Sequence, residues 1–271
     1  MPYRHAHWYV LAVLPLAALA FWPSYLGQIG TAPMQFHMHG LTATLWLLLL
    51  AAQSFAIHGG RRSLHRKLGL VSLALFPLFL AGGSGIFLGM AQRFAGEVSP
   101  FYTTYAPRLA WLDIVAVAGL AAFYFEALRQ RRVVALHGGY LLATVVFLLG
   151  PIFGRLFGAV RFAIAGGPDY ALLHGAFQGS NLFVAALAFA IAWRVRPNGR
   201  PFVISGALSL LMMLLFEFVG GTAWWRALFV RAADLPSAPV AVAVAILGAL
   251  IAWAGWTAGR RAVRSPAAMP A

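Results

Sequence analysis

LTATLWLLLLAAQSFAIHGGRRSLHRKLGLVSLALFPLFLAGG, residues 41–83, is the stretch that decides the fold. Two apolar runs, each on the way to the roughly 20 residues that cross a bilayer core, flank Arg61, Arg62, Arg66 and Lys67. Backbone polar groups in hydrocarbon must bond within their own segment, so runs of this kind form helices. A short basic link between two such helices marks the cytoplasmic side of a membrane.

Extending the reading in both directions gives eight apolar segments, about 8–26, 36–57, 67–90, 108–128, 134–156, 171–193, 201–219 and 238–257. The basic residues fall in alternate gaps. Arg4 precedes the first segment, and the four bases above separate the second from the third. Arg129, Arg131 and Arg132 separate the fourth from the fifth; Arg194, Arg196 and Arg200 separate the sixth from the seventh. Arg260, Arg261 and Arg264 follow the eighth. One acid, Glu126, accompanies them. The other gaps and segments hold Arg93, Arg108, Arg155, Arg161, Arg226 and Arg231 against Glu97, Asp113, Asp169, Glu217 and Asp234. An even number of spans with both termini cytoplasmic satisfies this bias; seven spans would put a basic cluster on the wrong side.

Composition agrees. Hydrophobic residues make up 62% of the 271 and charged residues 10%, well under the quarter or so that a soluble surface carries. The net charge of +14 is spent on short links between spans, so the partner it implies is the lipid bilayer and not nucleic acid. The expectation is an all-α integral membrane bundle of eight transmembrane helices, a single domain over residues 1–271, in a bacterial cytoplasmic (inner) membrane. Ala18-Leu19-Ala20 has the form of a signal-peptidase site, yet only Arg4 precedes the apolar run, so the first segment reads as a retained span.

Pro77 and Pro151 are expected to kink their spans. Gly85/Gly89 and Gly154/Gly158 are spaced for close helix packing. The connections 91–107 and 220–237 carry Tyr102, Tyr105, Trp224 and Trp225, residues suited to the headgroup level. Shifting the chain by 135 residues lays His39-Gly40 on His174-Gly175 and Arg61 on Arg196, as two parallel four-helix repeats would.

The chemistry is written in histidines and a few buried charges. No cysteine exists to form a disulfide, a thiolate site or a nucleophile. Lys67 stands at the very edge of its span, so no lysine lies in a span's interior to hold retinal, and neither a phosphate-binding Gly-Lys-Ser/Thr loop nor HExxH occurs. His39 and His174 belong at one depth near the outer face, with Asp113, Arg155, Gln178 and Asn181 nearby. An Asp within a span is costly and calls for a partner, Arg155 or Arg108. Imidazole and carboxylate together suit a divalent metal such as zinc, iron or copper. His37 could join His39 only if the chain were extended there, since positions two apart on a helix diverge. On the inner side, His65 and His137 start spans three and five at equal depth. They could be axial ligands to haem b, with Arg66 and its neighbours taking propionates.

Phe36-His37-Met38-His39-Gly40, with Trp46, Gln53 and His65-Arg66-Lys67-Leu68-Gly69, resembles a signature of an uncharacterised bacterial group of polytopic membrane proteins. Arg132, His137, Leu142-Ala143-Thr144, Pro151 and Arg155 are similar to that group's second signature. The resemblance covers about residues 36–155. It implies a polytopic membrane fold, and it implies that His39, Gln53, His65, Arg66, His137 and Arg155 are the residues to test first. Leu142 stands where the resemblance would place Met, which removes a thioether ligand.

These features point first to a membrane-embedded redox or metal- or haem-binding protein with a His-centred site near the outer face. His39, His174 and His37 would be its ligands, with Asp113 and Arg155 as catalytic groups and a quinone or lipid as substrate. The alternatives are a transporter or channel for a small or apolar solute, and a subunit or assembly factor of a larger membrane complex. The orientation is directly testable because the chain has no cysteine. Ser63→Cys is expected to react with an impermeant maleimide only after cells are opened, and Ser99→Cys in intact cells; the reverse pattern would invert the topology.

Overall fold

Long apolar runs leave the backbone no partner but itself, and those runs fold as helices, the fifth as two. The computed structural model describes residues 3–167 and 169–261. Its helices are α1 (Ala6–Phe21), α2 (Met34–His58), α3 (Arg62–Ala95), α4 (Pro100–Arg129) and α5 (Val134–Ala143). They continue as α6 (Val146–Ala165), α7 (Ala171–Arg194), α8 (Arg200–Phe218), α9 (Ala223–Arg231) and α10 (Ser237–Arg261). Short 3₁₀ segments lie at Leu26–Thr31 and Ala232–Asp234, and no strand occurs among the described residues. Arg264 of the final basic cluster lies outside them.

Seven stretches are long and apolar enough to cross a membrane: α2, α3, α4, α5 with α6, α7, α8 and Ser237–Gly259. The first helix is shorter than expected, 16 residues instead of a segment reaching residue 26. Pro23 is the reason, because it has no N–H for the carbonyl of Leu19, which bonds Trp22 instead. The helix nevertheless packs along α2 and α6. Tyr3 just ahead of it bonds the Ala135 carbonyl at 3.1 Å, at the start of α5. At the far end of the chain, Arg131 bonds the Trp256 carbonyl of α10 at 2.9 Å. The start of α1, the end of α10 and the arginine-rich links therefore share one end of the bundle, called the basic end below.

Helix α3 continues through Pro77, and α6 through Pro151. The fifth span is interrupted ahead of its proline, at Thr144 and Val145, where both amides bond carbonyls three residues back. The Thr144 hydroxyl bonds the Leu141 carbonyl at 2.6 Å and accepts the Trp46 indole N–H at 3.0 Å. Trp46 is fully buried and anchors the core: it packs on Phe76, Phe79 and Tyr124, and Phe76 stacks on Tyr124 with centroids 4.0 Å apart. The Tyr124 hydroxyl is satisfied by Ser72 at 2.8 Å.

Glycines set the closest approaches. A Cβ at Gly82 of α3 would lie 2.9 Å from the Thr42 hydroxyl and 3.0 Å from the His39 Cα, both on α2. Gly85 and Gly89 admit Gln35 of α2, and Gly154 and Gly158 admit Phe177 and Leu173 of α7. Gly82→Leu is expected to cost about 1–3 kcal/mol by overpacking α2 against α3. It should lower the thermal midpoint in detergent, whereas Gly30→Ala, with nothing within 4 Å, should leave it unchanged.

Candidate functional site

Three ionisable side chains from three helices converge inside the bundle. At about 1.5 Å per residue, His39, Asp113 and Arg155 stand about 29, 24 and 32 Å from the basic ends of α2, α4 and the α5–α6 span. Those levels agree within roughly two helical turns, well inside the apolar length of each helix.

His39 rests on Gly82, and its ring stacks on Phe79 of α3 with centroids 6.1 Å apart. Asp113 is one turn from Val117 on the same face of α4. Val117 lies 3.2 Å from where a Cβ on Gly83 would stand, so this face of α4 meets α3 beside the glycine under His39. Arg155 of α6 holds its guanidinium 4.1 Å above the ring of Phe21, the last residue of α1, and bonds the Pro151 carbonyl at 3.1 Å. The early end of α1 thus supplies a floor for the arginine.

The three form one electrostatic group. The charge of Arg155 acts on the His39 ring and on the Asp113 carboxylate, and Tyr102 also lies in its field. Yet among the described residues no ion pair joins them; those present are Arg129–Glu126 and His174–Glu217. Nδ1 of His39 and Oδ2 of Asp113 are buried with no protein group bonding them. Each such atom costs about 1–3 kcal/mol if nothing else satisfies it. All three residues are partly exposed as a whole, while the two unpartnered atoms themselves are buried. Such an arrangement can offer a guest a charged donor, a carboxylate and an imidazole.

The other residues singled out from sequence go elsewhere. His37 is helical, because α2 already begins at Met34, and so diverges from His39. Its ring nitrogens bond the Tyr25 hydroxyl at 2.9 Å and the Ala32 carbonyl at 3.0 Å. His174 pairs with Glu217 of α8 at 2.8 Å and packs on Phe216. Helices α2 and α7 are not among the well-packed pairs, so His174 and His39 have different neighbours. Gln178 joins His174 on Glu217 at 2.8 Å, while Asn181 turns back to the Phe177 carbonyl. Arg108, the other partner considered for Asp113, caps α8 through the Phe216 carbonyl at 2.8 Å. Among the described residues no group of three His, Cys, Asp or Glu is arranged to hold a metal.

At the basic end, His65 and His137 do meet, with ring centroids 6.4 Å apart and planes nearly perpendicular. Their Nδ1 atoms are committed. That of His137 donates to the Ala127 carbonyl at 2.7 Å. Gln53 lies between the His65 carbonyl and the Gly69 N–H; the first can only accept and the second only donate, so the amide NH₂ faces His65 and its oxygen faces Gly69. The NH₂ then donates to His65 Nδ1 as well, which puts the His65 proton on Nε2. Ligation of an iron by both Nε2 atoms would need the opposite tautomer at His65 and would set the Gln53 oxygen against a carbonyl. The pair as built suits hydrogen bonding better than metal ligation. Arg66 is exposed.

Phe21 escaped the sequence reading, since neither motif nor charge marks it, and Tyr102 was read only as a headgroup-level aromatic, not as a neighbour of Arg155. No family model, curated protein or solved structure matches the chain.

Arg155→Ala removes a cation that acts on the Asp113 carboxylate and is expected to lower the thermal midpoint in detergent. Asp113→Ala should also destabilise. The double variant is expected to melt higher than Arg155→Ala alone, because it leaves no unpaired charge. Simple additivity of the two losses would show that the groups do not interact.

Proposed function

We propose that the chain is an integral protein of a bacterial cytoplasmic membrane that binds a lipid-soluble molecule with a neutral polar head, a quinone in first place. The head would lie between His39, Asp113 and Arg155 and exchange protons with them. We read the bundle as eight passes with both ends of the chain on the cytoplasmic side. The alternating basic links support this, and so does the position of Tyr3 beside Ala135.

One observation carries the binding proposal. A carboxylate and a guanidinium sit in each other's field within the apolar length of the bundle without touching, and a ring nitrogen and a carboxylate oxygen beside them have no protein partner. The formal charges of Asp113 and Arg155 cancel. An anionic head would be repelled by Asp113 and a cationic one by Arg155, and desolvating either is expensive. A neutral head with acceptor oxygens meets no such penalty. Its carbonyl accepts from Arg155, and in the reduced form its hydroxyl donates to His39 Nδ1 or to Asp113. These side chains hold and move protons; the electrons of a redox cycle would come from a carrier of another kind. The apolar tail needs no dedicated pocket, because the bilayer is its solvent.

Passage of a small solute through the bundle is the second reading. The break between α5 and α6 favours it, since interrupted helices in transporters flank the path of the cargo.

Titration of the purified protein with a short-tailed benzoquinone, followed by quenching of its nine tryptophans, tests the first reading. Saturable quenching is expected, and Arg155→Gln should weaken it about 10- to 100-fold, the worth of a charge-assisted hydrogen bond. Absence of saturable binding, or equal binding by the variant, would refute it.

A further inference from the structure

The links at the basic end differ in what surrounds their arginines. Between α7 and α8, Arg196 and Arg200 border a cleft of about 350 Å³ whose other walls are Phe189, Trp193, Pro197 and Val203. Its shape depends on Gly199, where any side chain would overlap the Ala192 carbonyl; the turn is therefore pressed onto the last part of α7. Both arginines and Trp193 are exposed, and no ion pair to Arg196 or Arg200 occurs among the described residues.

The chain cannot easily neutralise them. It has six acidic residues. By sequence position only Glu126 belongs to this end, and Arg129 already holds both of its oxygens, at 2.9 and 2.7 Å. The first turn of α8 adds the positive end of a helix dipole beside Arg200. Two unpaired guanidinium groups and a helix N-terminus thus stand over an apolar groove that continues along Phe189 and Val203 into the membrane-crossing length of α7 and α8. Charge at one end and apolar wall below is the pattern of an amphiphile. Basic pockets between transmembrane helices take acidic lipid headgroups for this reason.

We propose that the cleft between α7 and α8 is a binding site for the phosphate of an anionic phospholipid, with Arg196 and Arg200 on the headgroup and Trp193, Phe189 and Val203 along an acyl chain. The site is separate from the interior group around Arg155 and does not depend on the function assigned there. Its guests are retained lipids that fix the α7–α8 turn against the membrane surface.

The test is native mass spectrometry of the full chain with phosphatidylglycerol or phosphatidylcholine added in detergent. The wild type should retain phosphatidylglycerol in preference. Arg196→Gln/Arg200→Gln should lower that retention about 30-fold, as expected for two arginines near an anionic surface. Arg61→Gln/Arg62→Gln, at another basic link, should leave it intact, and Arg196→Lys/Arg200→Lys should keep most of it. Equal loss in the Arg61/Arg62 variant would mean a diffuse positive field and no site. Equal retention of phosphatidylcholine would remove the role of the arginines. Displacement of phosphatidylglycerol by inorganic phosphate, at matched ionic strength, would assign the cleft to free phosphate and overturn the lipid proposal.

Discussion

A carboxylate inside an apolar helical bundle cannot remain charged without a nearby cation, and the interior of this protein is arranged around that constraint. Asp113 and Arg155 come from α4 and α6, helices that touch at only a few points. Their attraction therefore acts without an ion pair between them. The arginine is steadied from other directions, by the face of Phe21 and by the carbonyl of Pro151. His39 enters the same field from α2 because Gly82 lets its backbone lie against α3. The interior group thus depends on two local features, a helix that stops at Phe21 and a glycine with no side chain.

Below this group the core is filled by aromatic rings. Phe79 contacts both His39 and Trp46, Trp46 contacts Tyr124, and the Ala127 carbonyl one turn beyond Tyr124 holds His137. The two polar regions are therefore joined by buried aromatic rings in contact. Displacing Trp46 would loosen the α5–α6 break at Thr144 as well as the floor under His39. Such coupling is a reason for the interior group to be held in one geometry.

Much of this was readable in the chain itself, and the limits are physical. Span positions follow from transfer of apolar side chains into lipid, which depends on composition alone, so most boundaries were found within a few residues. The end of α1 was missed because Pro23 acts through one backbone bond, a local effect that hydropathy does not register. That Asp113 needs a nearby cation was legible, because a charge within a span demands one, but the sequence left Arg155 and Arg108 open, and among the described residues Asp113 forms an ion pair with neither. The placement of His174 was not legible. Depth can be counted along a helix, but which helix stands next to which cannot, and the partner His174 takes is Glu217 of α8. Gln53 was correctly expected to bond a histidine; that His65 takes the bond, and with which tautomer, needed the positions of the His65 carbonyl and the Gly69 amide.

The central claim is that His39 and Arg155 face a common space while His174 belongs to another. Because the chain has no cysteine, a pair placed at 39 and 155 can be tested in an otherwise inert background. A short bis-maleimide added to membranes should join His39→Cys to Arg155→Cys and leave His39→Cys with His174→Cys unlinked, read as a mobility shift after cleavage between the two sites. Linkage of the 39–174 pair with none at 39–155 would contradict the account.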